Sequence, residues 1–218
     1  MGNRISYIGC LLLLYSSSAL CQIKQVARYE LEQKGADQSW TIISMKEQGI
    51  ALVRDKNKFL NAEKVFEIRI LDSLLHENAY TEVSVPSRMS LIGYEYTPEY
   101  LYILLRSGDN EVARVLLLEY DIKKREVERY EIKYEFNLRL THFTVIDRHA
   151  IIAGYVTREP AVLIYDIVDS QLKVVPGFFL ADTELLDVRI NANGTFNTLT
   201  TNRSSCFCVN RTPFASNS

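Results

Sequence analysis

Short apolar runs alternate with turn residues along most of this chain. Residues 150–157 (AIIAGYVT) are β-branched and small, Arg158-Glu159-Pro160 interrupts them, residues 161–166 (AVLIYD) form a second run, and residues 171–175 begin a third. Runs this short, bounded by Gly, Pro, Asp and Asn, predict strands rather than helices. The same order occurs upstream. Strands are predicted at 40–46, 50–55, 65–72 and 79–86, then at 90–97, 100–107, 114–121 and 127–134. Residues 140–146 open a third unit, turning on Asp147-Arg148-His149 into the runs named above. Residues 185–191 and 195–201 begin a fourth, joined by Asn193-Gly194, whose tolerance of positive φ suits a type I′ hairpin. Residues 65–72 (VFEIRILD) alternate apolar with charged positions, as a strand covered on one face should.

The units repeat at a measurable interval. Third strands end on an apolar residue followed by Asp at Leu71-Asp72, Tyr120-Asp121 and Tyr165-Asp166, so the aspartates lie 49 and 45 residues apart. A propeller blade takes about 40 to 50 residues. The apolar-Asp ending resembles the Trp-Asp position of WD40-type blades, with Tyr or Leu in place of Trp and no accompanying Gly-His. Residues 40–202 therefore resemble the β-propeller superfamily and no named family within it. The resemblance implies an all-β fold of β-propeller blades, each of four antiparallel strands. Each Asp is expected to cap the turn after its strand by accepting backbone N–H groups.

About three and a half blades fit this length, whereas closed propellers have about four to eight. An open ring leaves strand edges free to pair with another chain. The expectation is an incomplete propeller, either truncated from a longer one or completed by another copy or another protein. Residues 204–218, rich in Ser, Asn and Thr, are expected to be a disordered tail.

Arg4, the apolar residues 5–15 and the small residues 16–21 predict a signal peptide over 1–21, cleaved before Gln22, and a leader over 22–39. The protein is accordingly expected to be secreted or periplasmic. Lipid anchoring at Cys21 is an alternative, disfavoured by the bulky Leu20 before it. No run approaches the roughly 20 apolar residues of a membrane helix. Outside the signal only Cys206 and Cys208 remain, too close for an unstrained bridge with each other, so free or intermolecular thiols are expected. With 25 basic and 27 acidic side chains, no bulk field recruits nucleic acid.

The G-x-S-x-G, H-E-x-x-H, phosphate-loop and EF-hand signatures are missing. His76, His142 and His149 have no Cys or acidic residue at metal-ligand spacing, and no metal or other cofactor is expected. Arg54, Arg106, Arg158 and Arg203 follow the second strands at intervals of 52, 52 and 45 residues. On one propeller rim they could hold a carboxylate, a phosphate or an acidic protein segment; the ordinary alternative is solvated turn arginines neutralised by Asp55, Asp109 and Glu159. Tyr94, Tyr96, Tyr100 and Tyr102 offer either an aromatic platform or cross-strand packing. Sequons at Asn193, Asn202 and Asn210 mark candidate glycosylation sites.

Two functions follow from this sequence. The leading one is an extracytoplasmic sensor or scaffold module that binds a protein or an anionic ligand on its loop face. The alternative is a fragment of a propeller-based hydrolase whose catalytic residues lie outside the chain. Propellers host both classes.

Overall fold

A computed structural model describes residues 25–35, 37–108, 114–175, 183–191, 195–202 and 205–211. The body that begins at Gln33 is all-β, and its sheets are consecutive antiparallel meanders. Blade 1 comprises β1 (Thr41–Ser44), β2 (Ile50–Leu60), β3 (Glu63–Leu71) and β4 (Glu77–Pro86). Blade 2 comprises β5 (Met89–Tyr96), β6 (Tyr100–Ser107), β7 (Val115–Asp121) and β8 (Glu126–Ile132). Blade 3 comprises β9 (Leu138–Ile146), β10 (His149–Val156), β11 (Glu159–Asp166) and β12 (Gln171–Val174). Blade 4 has β13 (Glu184–Ile190), β14 (Phe196–Asn202) and β15 (Ser205–Arg211). Three blades of four strands and a fourth with three described strands make an incomplete propeller, as the repeat predicts.

The blades stack face on face. One apolar cluster joins blade 1 to blade 2 through Phe66, Ile68 and Ile70 against Leu101, Ile103 and Tyr120. A second joins Leu104 and Leu117 to Ile152 and Leu163, and a third joins Ile151 and Ile164 to Leu185 and Phe196. Central strands β6, β7, β10 and β11 are covered on both faces, which is why they read as continuous apolar runs. The strand β3 alternates because blade 2 covers only one of its faces. Along the array the first strands β1, β5, β9 and β13 run beside one another, so these form the inner wall.

The turn-cap expectation holds at all three aspartates. Asp72 Oδ1 accepts the N–H groups of Leu74 and His76 at 2.8 and 2.9 Å, Asp121 Oδ1 those of Lys123 and Lys124 at 2.9 and 2.8 Å, and Asp166 Oδ1 those of Val168 and Asp169 at 2.9 and 3.1 Å.

Two local expectations need correction. Residues 204–211 are not all tail, because Ser205–Arg211 form β15, pairing from Phe196↔Arg211 to Asn202↔Ser205. Phe207 and Val209 are good strand formers, and pairing with β14 offsets the polar residues around them. The strand β2 also runs on to Leu60 rather than stopping at residue 55, with an irregularity between Asp55 and Phe59. In the leader, residues 25–34 adopt neither helix nor strand, and Asp37 closes a turn around Gly35 through Lys34. The signal segment 1–21, the Asn193-Gly194 turn and residues 212–218 lie outside the described residues. Among those described, no helix is long and apolar enough to cross a membrane.

Candidate functional site

The inner wall is where the strands stop being regular. In β5 the register shifts between Leu91 and Gly93, so Ile92 is an extra residue; in β9 the extra residue is Thr141, and in β13 it is Leu186. These bulges fall 49 and 45 residues apart, the same intervals as the capping aspartates. A bulge bends its strand and re-aims the side chains that follow. Gly93, His142 and Asp187 therefore hold equivalent places on three blades, and Glu95, Thr144 and Arg189 hold another such set.

Those residues converge. A cleft of about 400 Å³ is lined by Glu95, Thr141–Thr144 and Asp187–Arg189. A smaller one of about 120 Å³, lined by Ile92, Tyr94 and Leu140 among others, shares Thr141, His142 and Phe143 with it. Ile92, Tyr94 and Leu186 are each more than two-fifths exposed. Gly93 lets β5 approach β9 closely, since a Cβ there would stand 3.2 Å from the Phe143 side chain.

Hydrogen bonds hold the polar wall in place. Thr144 Oγ1 donates across the blade junction to Glu95 Oε2 at 3.0 Å, and Glu95 Oε1 accepts the Tyr96 N–H at 3.2 Å. His142 Nε2 lies 3.2 Å from the Leu186 carbonyl, which can only accept, so this nitrogen carries a proton, and Nδ1 lies 2.8 Å from the Thr141 hydroxyl. The Tyr155 hydroxyl grips the same bulge, donating to Leu185 O at 3.2 Å and accepting Leu185 N–H at 2.6 Å. Arg189 Nε donates to Asp187 Oδ2 at 2.6 Å and is the main reason that carboxyl sits below its ordinary range.

A second polar cluster lies between blades 2 and 3. The type I′ turn Asp147-Arg148, with positive φ at both residues, sends the Arg148 guanidinium to Glu119 Oε1 at 3.0 Å and to the Tyr100 hydroxyl at 3.2 Å. Glu119 is 3% exposed, and burial pushes its carboxyl up despite the opposing charge of Arg148. Tyr102 packs beside it, fully buried. This cluster joins two blades; it does not open on either inner cleft.

The four arginines do not share one environment. Arg54 lies within β2 rather than in the following loop, because β2 continues to Leu60. Its Nε meets Glu67 Oε1 at 2.5 Å, its Nη1 meets Asp37 Oδ2 at 3.1 Å, and its guanidinium lies 4.2 Å over the Trp40 ring. Asp55, a candidate neighbour for it, pairs instead with Lys64 at 2.9 Å. Arg106 is the penultimate residue of β6 and is half-buried, Arg158 is exposed in the β10–β11 turn, and Arg203 lies outside the described residues. Of the four tyrosines, Tyr94 is exposed on the inner wall, Tyr96 packs on the first core, and Tyr100 and Tyr102 pack in the second with ring centroids 5.9 Å apart.

The histidines are dispersed. His76 faces Asp72 at 3.3 Å in a turn, and His149 faces Asp166 at 3.3 Å beneath the third blade's cap. Among the described residues no three His, Cys, Asp or Glu side chains gather to hold a metal ion. Cys206 and Cys208 are free and exposed.

Fold and site together define an all-β protein of propeller-type blades with a polar cleft on its bulged inner strands. No family model matches the chain, and no curated protein matches it. Among solved structures it is similar to cobalt-substituted Synechocystis ACO, with a TM-score of 0.45 and 8% identity over 75% of this chain and 46% of that one. A tryptophan-to-alanine mutant of Synechocystis apocarotenoid oxygenase gives a TM-score of 0.45 and 9% identity, over 80% and 49%. The chain spans less than half the length of either structure.

The inner-wall residues escape a search for known motifs because each blade contributes only one or two of them. Their signal is the interval itself, which carries Gly93 onto His142 and then onto Asp187.

Proposed function

We infer that the chain is an extracytoplasmic binding module that holds a small polar ligand against its inner strands. The observation that supports this most directly is the convergence of Glu95, Thr144 and Arg189, equivalent positions on the bulged strands of three blades, on one cleft of about 400 Å³. Glu95 and Asp187 offer acceptors, Arg189 offers donors, and hydrogen bonds orient all three before a ligand arrives. Such preorganisation lowers the cost of binding.

Among the described residues, the loop-face reading for an anionic ligand or an acidic protein segment narrows to Arg106 and Arg158. Arg54 is already satisfied by two carboxylates.

A ligand that binds the native state raises its unfolding temperature. We expect at least one member of a panel of neutral saccharides and amines to do so for the purified chain, and the Asp187→Asn/Arg189→Ala variant to lose that shift. Responses that persist undiminished in the variant would place binding away from the inner wall.

A further inference from the structure

Where β6 ends in blade 2, two donors are buried without an acceptor among the described residues. Arg106 Nε and the Tyr134 hydroxyl are both enclosed, and among the described residues neither has a hydrogen-bond partner. A guanidinium carries only donors, and a buried phenol is held most favourably when its O–H also finds an acceptor. Leaving either unmatched costs free energy, so two in one place is an arrangement a folded protein rarely keeps without use.

The sheet register puts them together. Arg106 pairs with Val115, and Val115 pairs with Ile132, so these three form one row across β6, β7 and β8. Tyr134 lies two residues beyond Ile132, on the segment that leads into blade 3. Val115, Ile132 and Tyr134 all belong to the apolar cluster between blades 2 and 3. Tyr134 is 4% exposed and packs on Phe136 with ring centroids 5.3 Å apart. Burial raises its phenol while the charge of Arg106 opposes that rise, so the two groups sense each other. Arg106 itself stays half-buried at the end of β6. Among the described residues no carboxylate forms an ion pair with it.

The geometry points to an oxyanion subsite at Arg106 and Tyr134, at the edge where blades 2 and 3 meet, taking a carboxylate or a phosphate group. One oxygen accepts the Tyr134 O–H while the guanidinium fork takes the charge. Of the loop-face arginines, Arg106 thus becomes the anchor. The site is separate from the inner-wall cleft and does not depend on it.

Inorganic phosphate and acetate are the probes, each titrated at constant ionic strength against the thermal unfolding of the full chain. A saturable rise in midpoint with either anion is expected, and the stronger of the two identifies the class of group. Arg106→Gln and Tyr134→Phe should each weaken the apparent affinity about tenfold or more. Without anion, Tyr134→Phe should be at least as stable as the natural protein, because the hydroxyl it removes has no partner among the described residues. The Asp187→Asn/Arg189→Ala variant should keep the full response. A natural protein indifferent to both anions overturns the subsite, as does a response that survives both substitutions. Marked destabilisation by Tyr134→Phe in anion-free buffer would also overturn it, by showing that the chain itself supplies the acceptor.

Discussion

The central strands β7 and β11 and the inner strands β5, β9 and β13 belong to one array of repeating blades, yet they obey different rules. The central strands pair without a shift, bury almost every residue between two neighbouring sheets, and end on a capping aspartate. Each inner strand breaks register once and turns mixed polar and apolar side chains toward a cleft. Burial from both sides leaves a central strand no freedom to bulge without opening the core. An inner strand has one unpaired edge, so a bulge there disrupts only one ladder. Scaffold and site are thus separated by two strands' width within blades 2 and 3.

The sharpest way to break this contrast is to fill the bulge. Gly154 in β10 sits opposite the break in β9, and a Cβ there would stand 2.1 Å from the Arg139 carbonyl oxygen and 2.8 Å from its carbon. Both are backbone atoms, which cannot rotate away. Gly154→Ala should therefore cost about 3 kcal/mol or more, read as a lower urea midpoint. Near-normal stability would mean that β9 straightens at little cost and that its bulge is incidental.

Blade 1 tests the central-strand rule from the other side. On the face of β3 turned away from blade 2, Glu67 is 1% exposed and is held by Arg54, with Lys56 at 3.5 Å and the Tyr80 hydroxyl at 3.4 Å. Here Asp37 and Trp40, rather than another sheet, cover the strands. Repeat arrays commonly close an end with a polar outer face. Removing one partner of a buried pair strands the other charge, so Glu67→Ala should lose about 3 to 5 kcal/mol. An Arg54→Leu/Glu67→Leu variant should recover most of that. If both variants are equally unstable, the cost lies in packing rather than charge.

Much of this architecture is legible in the order of residues, for reasons particular strands make plain. The continuous run at 101–105 and the alternation at 65–71 record how many faces neighbouring sheets cover. Asp72, Asp121 and Asp166 announce their turns because a short carboxylate reaches nearby N–H groups without help from distant residues. The bulges at Ile92, Thr141 and Leu186 are different. Register belongs to a pair of strands, and nothing within Leu91-Ile92-Gly93 says which residue its partner will skip. Arg54 was misplaced for a related reason: residues 56–64, largely polar, read as loop, yet pairing of Phe59 with Lys64 and of Leu60 with Glu63 draws them into the sheet.

The gentlest test concerns the caps that end the regular strands. Burial pulls the Asp166 carboxyl upward, but the N–H groups of Asp169 and Val168 and the nearby His149 outweigh it, leaving the group below its ordinary value. A carboxylate with a depressed folded-state pKa adds stability above its unfolded pKa and loses it as pH falls through the folded one. Asp166→Ala should then cost about 1 kcal/mol at neutral pH and flatten the acid limb of stability against pH. The difference between variant and natural protein should shrink steadily once the pH drops below the ordinary aspartate range. A constant difference down to the most acid conditions would assign the loss to turn geometry alone. It would also detach the capping aspartates from the charge-assisted bonds by which the central strands are ended here.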